Sequence, residues 1–265
     1  MTTMKPRLGV FKFASCDGCQ LSLLDCEDQL LAVADRVEIA YFLEAIRRPL
    51  EGEFDVALVE GSVSTSEQEN EIRDIRRRSR FLITLGACAS HGGLQGLRNF
   101  NSLNVDNALA IVYASPQYVE TLACSRPASA YVAVDLELPG CPINKNQLIG
   151  VLGQMLVGAR PKVPNHALCL ECKRQHLVCI LVAHGSPCMG PVTSTGCGVL
   201  CPSYDRPCFS CFAPSIQPNT AALAERFVQL GLKQDEIRRL FQTFYANAHE
   251  FKEEGLRHVR SSSTA

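Results

Sequence analysis

Short apolar runs at residues 8–14, 37–42, 55–61, 81–87 and 131–138 punctuate the first half of the chain, most of them ending near a glycine or a cysteine. Their length and β-branched content fit strands buried on both faces. Helical patterns lie between them. Over residues 20–34, Leu23, Cys26, Leu30 and Val33 recur on one face, which makes Cys26 a packing residue. Residues 64–69, Ser-Thr-Ser-Glu-Gln-Glu, hold two overlapping capping boxes ahead of a charged helix over 67–80. Arg73, Arg76, Arg77 and Arg78 form the solvated face of that helix. Strands alternating with helices predict an α/β domain, a parallel sheet with helices on its faces. From about residue 160 the pattern is lost: residues 161–216 hold eight cysteines and seven prolines, so the backbone there is loop wrapped around something. Amphipathic patterns return at 219–231 and 234–257, followed by a polar Ser/Thr tail. The expected domains are 1–158 and 159–265.

At 265 residues the chain can bury one large core or two smaller ones. A net charge of -1 gives no electrostatic case for nucleic acid as partner, since such binding needs a basic face. No apolar stretch approaches the length of a membrane span. The N-terminal residues run straight into the first apolar run with no secretory or twin-arginine leader, so the expected location is cytoplasmic. Fourteen cysteines change the picture. In a reducing compartment such a density signals metal ligands more than disulfides.

Ligands in an open α/β sheet bind beyond the carboxyl ends of the strands. Cys16 and Cys19 follow the first run in "SCDGC", Cys88 follows the fourth in "LGACASHGG", and Cys141 follows the fifth in "LPGCPIN". Parallel strands bring these ends to one edge, where four thiolates can converge. Zinc and an iron–sulfur cluster both accept such a set. A thioredoxin-like pair would use Cys16 and Cys19 alone and leave the other two without a role. The second half supplies eight more cysteines: Cys169, Cys172, Cys179 and Cys188, then Cys197, Cys201, Cys208 and Cys211. Ligation by four cysteines is what a [4Fe-4S] cluster requires. Cys26 and Cys124 are left over. Glu60, in "VEGS", closes a strand near the first set, where it can bond backbone or take part in proton movement. No Ser-His-Asp set, phosphate-binding loop or dinucleotide fingerprint competes with the cysteines.

"SCDGCQLSLL", "VEGS", "LGACASHGG" and "LPGCPINKNQL" together resemble the small subunit of [NiFe] hydrogenases across almost the whole chain. The resemblance implies a flavodoxin-like parallel-sheet domain, followed by a small irregular iron–sulfur domain with C-terminal helices. It implies no catalytic residue in this chain and three [4Fe-4S] clusters. The proximal cluster would sit on Cys16, Cys19, Cys88 and Cys141, the medial one on Cys197, Cys201, Cys208 and Cys211, and the distal one on Cys169, Cys172, Cys179 and Cys188. Periplasmic members place a histidine where this chain has Cys169; His166, in an H-x-x-C step, is the alternative ligand. Their medial cluster often has three cysteines, and Cys201 adds a fourth. The related subunit of respiratory complex I usually carries adjacent cysteines at the first motif, where this chain has C-x-x-C.

"FKFASCDGCQLSLLDCEDQLL" is most similar to the delta subunits of bidirectional NADP-linked hydrogenases, also called sulfhydrogenases. The implied partners are a large subunit with the nickel–iron site, an FAD-bearing NAD(P)-reductase subunit and a further iron–sulfur subunit. Small subunits of F420-reducing or heterodisulfide-reductase-linked hydrogenases are the nearest alternative. A zinc-stapled structural protein is the alternative from a different class.

Overall fold

The computed structural model describes residues 5–100 and 105–259; residues 1–4, 101–104 and the polar Ser/Thr tail, 260–265, lie outside the described residues. The chain forms two compact units, with the boundary between Lys162 and Val163. The first unit carries five strands: β1 (Arg7–Lys12), β2 (Glu38–Phe42), β3 (Phe54–Glu60), β4 (Ser79–Leu85) and β5 (Leu136–Leu138). They form one sheet in the order β2-β1-β3-β4-β5 with every neighbouring pair parallel. That order is flavodoxin-like, and its switch point lies between β1 and β3. Its helices are α1 (Gly18–Leu24), α2 (Asp28–Ala34), α3 (Ser66–Arg78), α4 (Gly86–His91), α5 (Val105–Val112) and α6 (Lys145–Leu156).

Both faces of the sheet are covered. Phe11, Ala57, Val59 and Leu82 pack with Ile72 and Ile75 of α3 in one buried cluster. On the other face Leu8 and Val56 share a cavity wall with Leu152, Met155 and Leu156 of α6. Burial on both faces is what removes polar alternation from β3 and β4.

The second unit holds α7 (Leu168–Arg174), α8 (Ile180–Ala183), α9 (Thr220–Gln229), α10 (Gln234–Phe241) and α11 (His249–Arg257). Its C-terminal helices keep a core of their own, with Phe227, Ile237, Phe241, Tyr245 and Phe251 fully buried.

Three elements differ from their sequence patterns. The helical stretch 20–34 is two helices, because Glu27 takes a non-helical backbone with φ 46° and ψ -116°. Cys26 sits at that break, buried, and its thiol donates to the Ser22 carbonyl at 3.4 Å. The stretch 234–257 is likewise two helices, with Tyr245 and Ala246 between them turned into the core. The fifth strand covers only Leu136–Leu138. Upstream of it, guanidiniums take the carbonyls that a neighbouring strand would have taken: Arg73 donates to Tyr131 O and Arg76 to Ala133 O, both at 3.3 Å. The arginine face of α3 is therefore partly a clasp on residues 131–135, reinforced by the Arg76–Asp135 ion pair.

Candidate metal centres

The carboxyl edge of the sheet gathers the first set of thiols. After β1 the chain turns through Asp17, whose φ of 66° is left-handed, and enters α1. The turn is fastened by Lys12, which donates to Asp17 Oδ2 at 2.8 Å. Cys16 stays exposed, while Cys19 in the first turn of α1 is buried. Glu60, at the end of β3 and 2% exposed, accepts from Cys19 N at 3.0 Å and from Gln20 N at 3.1 Å. Its carboxylate thus satisfies the free amides that begin α1. Burial raises the Glu60 pKa, and those two backbone donors pull it back down.

Cys88 lies in α4 directly after β4, and Cys141 lies three residues past β5. The four thiols lie within electrostatic reach of one another: Cys19 senses Cys88 and Cys141, and Cys16 is sensed by both of those. Burial first, and the neighbouring thiols second, push Cys88 up to about 11 and raise Cys141; Cys19 is raised by burial, then by the Glu60 charge, and after that by Cys88 and Cys141. Cys19, Cys88 and Cys141, which resist ionisation one by one, suit a cationic core that compensates their charges together. Two glycines leave room for them. A Cβ on Gly86 would stand 2.5 Å from Cys19 Sγ, and one on Gly93 2.5 Å from Cys88 Sγ, both at positive φ. Gln95, which sequence reasoning did not single out, accepts from the Cys88 thiol at 3.3 Å and donates to Ala14 O at 2.9 Å.

In the second unit, Cys169, Cys172, Cys179 and Cys188 line a single cavity, together with Leu168 and Ile180. Cys169 and Cys172 are one helical step apart on α7, and Cys179 is the residue before α8. Burial, then their neighbours' charges, push Cys169 and Cys172 each up to about 11. A Cβ on Gly190 would lie 3.5 Å from Cys188 Sγ and 3.6 Å from Cys169 Sγ. His166 is not among the residues that line this cavity; its carbonyl accepts from Thr195 N at 2.8 Å.

The last four cysteines lie alongside. Cys201 is raised by burial and then by Cys197; Cys208 is raised by burial, with Cys188 and Cys211 adding to it and the Ser210 amide and Thr193 side chain opposing it. Backbone amides already serve this region's sulfur: Cys208 N donates to Cys188 Sγ at 3.2 Å and Ser210 N to Cys208 Sγ at 3.4 Å. None of the fourteen cysteines is in a disulfide. Among the described residues no group of three or more His, Cys, Asp or Glu side chains closes as tightly as the shell of a single metal ion.

Residues 16–155 match the family described as NADH ubiquinone oxidoreductase, 20 Kd subunit. The chain is 39% identical, over 90% of its length and 98% of the relative's, to sulfhydrogenase 2 subunit delta of Pyrococcus furiosus. It belongs to the [NiFe] hydrogenase small-subunit family. This small subunit is also 30% identical to a subunit of the F420-non-reducing hydrogenase vhu of Methanocaldococcus jannaschii, over 80% of this chain and 83% of that one. In structure it resembles a chain of an NAD+-reducing [NiFe]-hydrogenase in its H2-reduced state, with a TM-score of 0.55 and 32% identity, over 60% of this chain and 96% of that one. Among the described residues of the small subunit no helix is long and apolar enough to cross a membrane.

Proposed function

We propose that this small subunit is the electron wire of a cytoplasmic [NiFe] hydrogenase. Three [4Fe-4S] clusters would carry electrons one at a time between the nickel–iron site of a large subunit and an FAD-bearing, NAD(P)-reducing partner that is joined by a further iron–sulfur subunit. Cys16, Cys19, Cys88 and Cys141 of the first unit would hold the proximal cluster. In the second unit, Cys169, Cys172, Cys179 and Cys188 would hold the distal cluster, and Cys197, Cys201, Cys208 and Cys211 the medial one. The observation that carries this reading is the gathering of four thiols at the carboxyl edge of the sheet, with four more lining one cavity of the second unit.

The chain's own residues do three things in this scheme. Thiolates fix the clusters, glycines at 86, 93 and 190 let backbone and sulfur pass closely, and Glu60 anchors the start of α1 beneath Cys19. The sheet supplies rigidity, and relay sites need a rigid frame because position and burial set their potentials. The NAD+-reducing relative favours a nicotinamide acceptor, and the F420-non-reducing relative favours a second reading in which another acceptor takes the electrons.

The test is iron, acid-labile sulfide and zinc in the anaerobically isolated complex, together with low-temperature EPR after reduction. About twelve irons assigned to this chain, as three four-iron clusters require, support the wire. About four irons with zinc at the remaining thiols leave one cluster and no wire. Zinc alone makes the chain a structural protein. Hydrogen-driven reduction of NADP, NAD and F420, assayed side by side, then decides the acceptor.

A further inference from the structure

Ser210 stands between Cys208 and Cys211, where its φ of 60° folds the backbone back so that its amide donates to Cys208 Sγ at 3.4 Å. The residue is fully buried, at 0% exposure, and its hydroxyl has no hydrogen-bond partner among the described residues. A buried hydroxyl without an acceptor carries the full cost of its lost hydration, so native chains rarely keep one unless something outside the chain satisfies it. The neighbours point to sulfur. Cys208 is also buried, Cys188 Sγ accepts from Cys208 N at 3.2 Å, and the Thr193 hydroxyl, which also lies against the Cys208 thiol, donates to Met189 O at 2.8 Å. Ser194 is buried and unpartnered too, but no contact sets it against a thiol.

We propose that the Ser210 hydroxyl donates a hydrogen bond to the sulfur of the cluster held by Cys197, Cys201, Cys208 and Cys211, and thereby raises that cluster's reduction potential. This rests on the three-cluster reading. Reduction adds one electron and negative charge to the cluster, so a donor aimed at its sulfur stabilises the reduced form more than the oxidised form. Ser210 is then a positioning residue for the electron, setting how readily this station of the wire fills.

The experiment uses the intact complex, isolated anaerobically, with Ser210→Gly and Ser210→Ala in this chain. Glycine suits the positive φ, and alanine tolerates it less well. An effect of the hydroxyl therefore appears equally in both variants, whereas an effect of backbone strain separates them. EPR-monitored redox titration should show one reduction step moved down, with about a tenfold lower ratio of reduced to oxidised cluster at fixed poise, which is ~59 mV for a one-electron couple. Iron content and the other two steps should stay unchanged. Deuteron ENDOR on that signal should lose one exchangeable coupling in both variants. Full iron with all three steps unmoved, or a shift in the alanine variant alone, overturns the assignment and leaves the hydroxyl on a buried water. A wild-type complex without iron overturns the cluster reading itself.

Discussion

Two carboxyls near the carboxyl edge of the sheet show how neighbours decide what burial does. Glu60 and Glu137 are both raised by burial, but Glu60 has two backbone amides to answer its charge, whereas desolvation is the sole resolved influence on Glu137. Glu137 lies on β5 opposite Thr84 of β4, whose hydroxyl is itself buried without a partner among the described residues. Because its pKa lies above that of an unfolded carboxyl, the folded chain holds the Glu137 proton through a pH window where the unfolded chain has lost it. Stability contributed by this group therefore falls as pH rises through that window, and above it the bare charge is a standing cost. Glu137→Gln should match the wild type in acid and be the more stable protein at neutral pH. Anaerobic thermal melts over a pH series check this, since the difference between the two proteins isolates the one group. Melts that overlay at every pH would mean that the carboxylate is answered by a partner in the assembled enzyme.

At the level of the elements, α3 is begun by Thr65 as N-cap, and the Gln68 side chain reaches back past it to the preceding residue. Thr65 Oγ1 accepts from Gln68 N at 3.2 Å, and Gln68 Oε1 in turn accepts from Ser64 N at 2.8 Å. Thr65→Ala should cost about 1 kcal/mol of stability, and Thr65→Ser very little, as read from denaturant midpoints at constant m-value. Equal losses in both would place the stabilisation in packing of the threonine methyl. The sequence placed capping boxes in residues 64–69; the structure has the N-cap bond of Thr65, while the return bond from Gln68 falls on Ser64 N and closes no box. The same limit recurs elsewhere. Central strands were legible because apolar residues on both faces leave a continuous signal. The run 131–138 carries that signal too, yet only its last three residues pair, because Arg73 and Arg76 reach across to take the earlier carbonyls. Periodicity likewise ran through Glu27 and through residues 242–248, where the backbone breaks. Cysteine spacing and strand-end position announced the first thiol set. The parts of Gln95 and Ser210 were hidden, since each depends on which sulfur the fold brings beside it.

On the scale of the whole molecule, the two units keep their order by different means. The sheet of the first unit buries Leu58, Leu82, Ile83 and Leu85 completely, which is enough to hold β3 and β4 by apolar packing alone. Residues 163–216 have only short helices, of seven and four residues with a three-residue 3-10 helix at Pro202–Tyr204, and a run of isolated turns. Fully or nearly buried apolar side chains are sparse there: Leu168, Ile180, Met189, Val192, Val199 and Phe212. Helices that short do not persist by themselves in water. If thiolate–iron bonds are what ties this segment down, metal binding and folding are one equilibrium. Stripping the iron anaerobically with a chelator should therefore abolish amide-exchange protection through 163–216. It should spare β1, β3 and β4, and leave substantial protection in α9–α11 around Phe227, Phe241 and Phe251. Hydrogen–deuterium exchange read by mass spectrometry separates these regions in one experiment. Protection lost everywhere at once would mean that the sheet too depends on its four thiols. Protection kept in 163–216 after complete iron loss would show that packing suffices there, and would remove the structural reason for gathering eight cysteines in so irregular a stretch of chain.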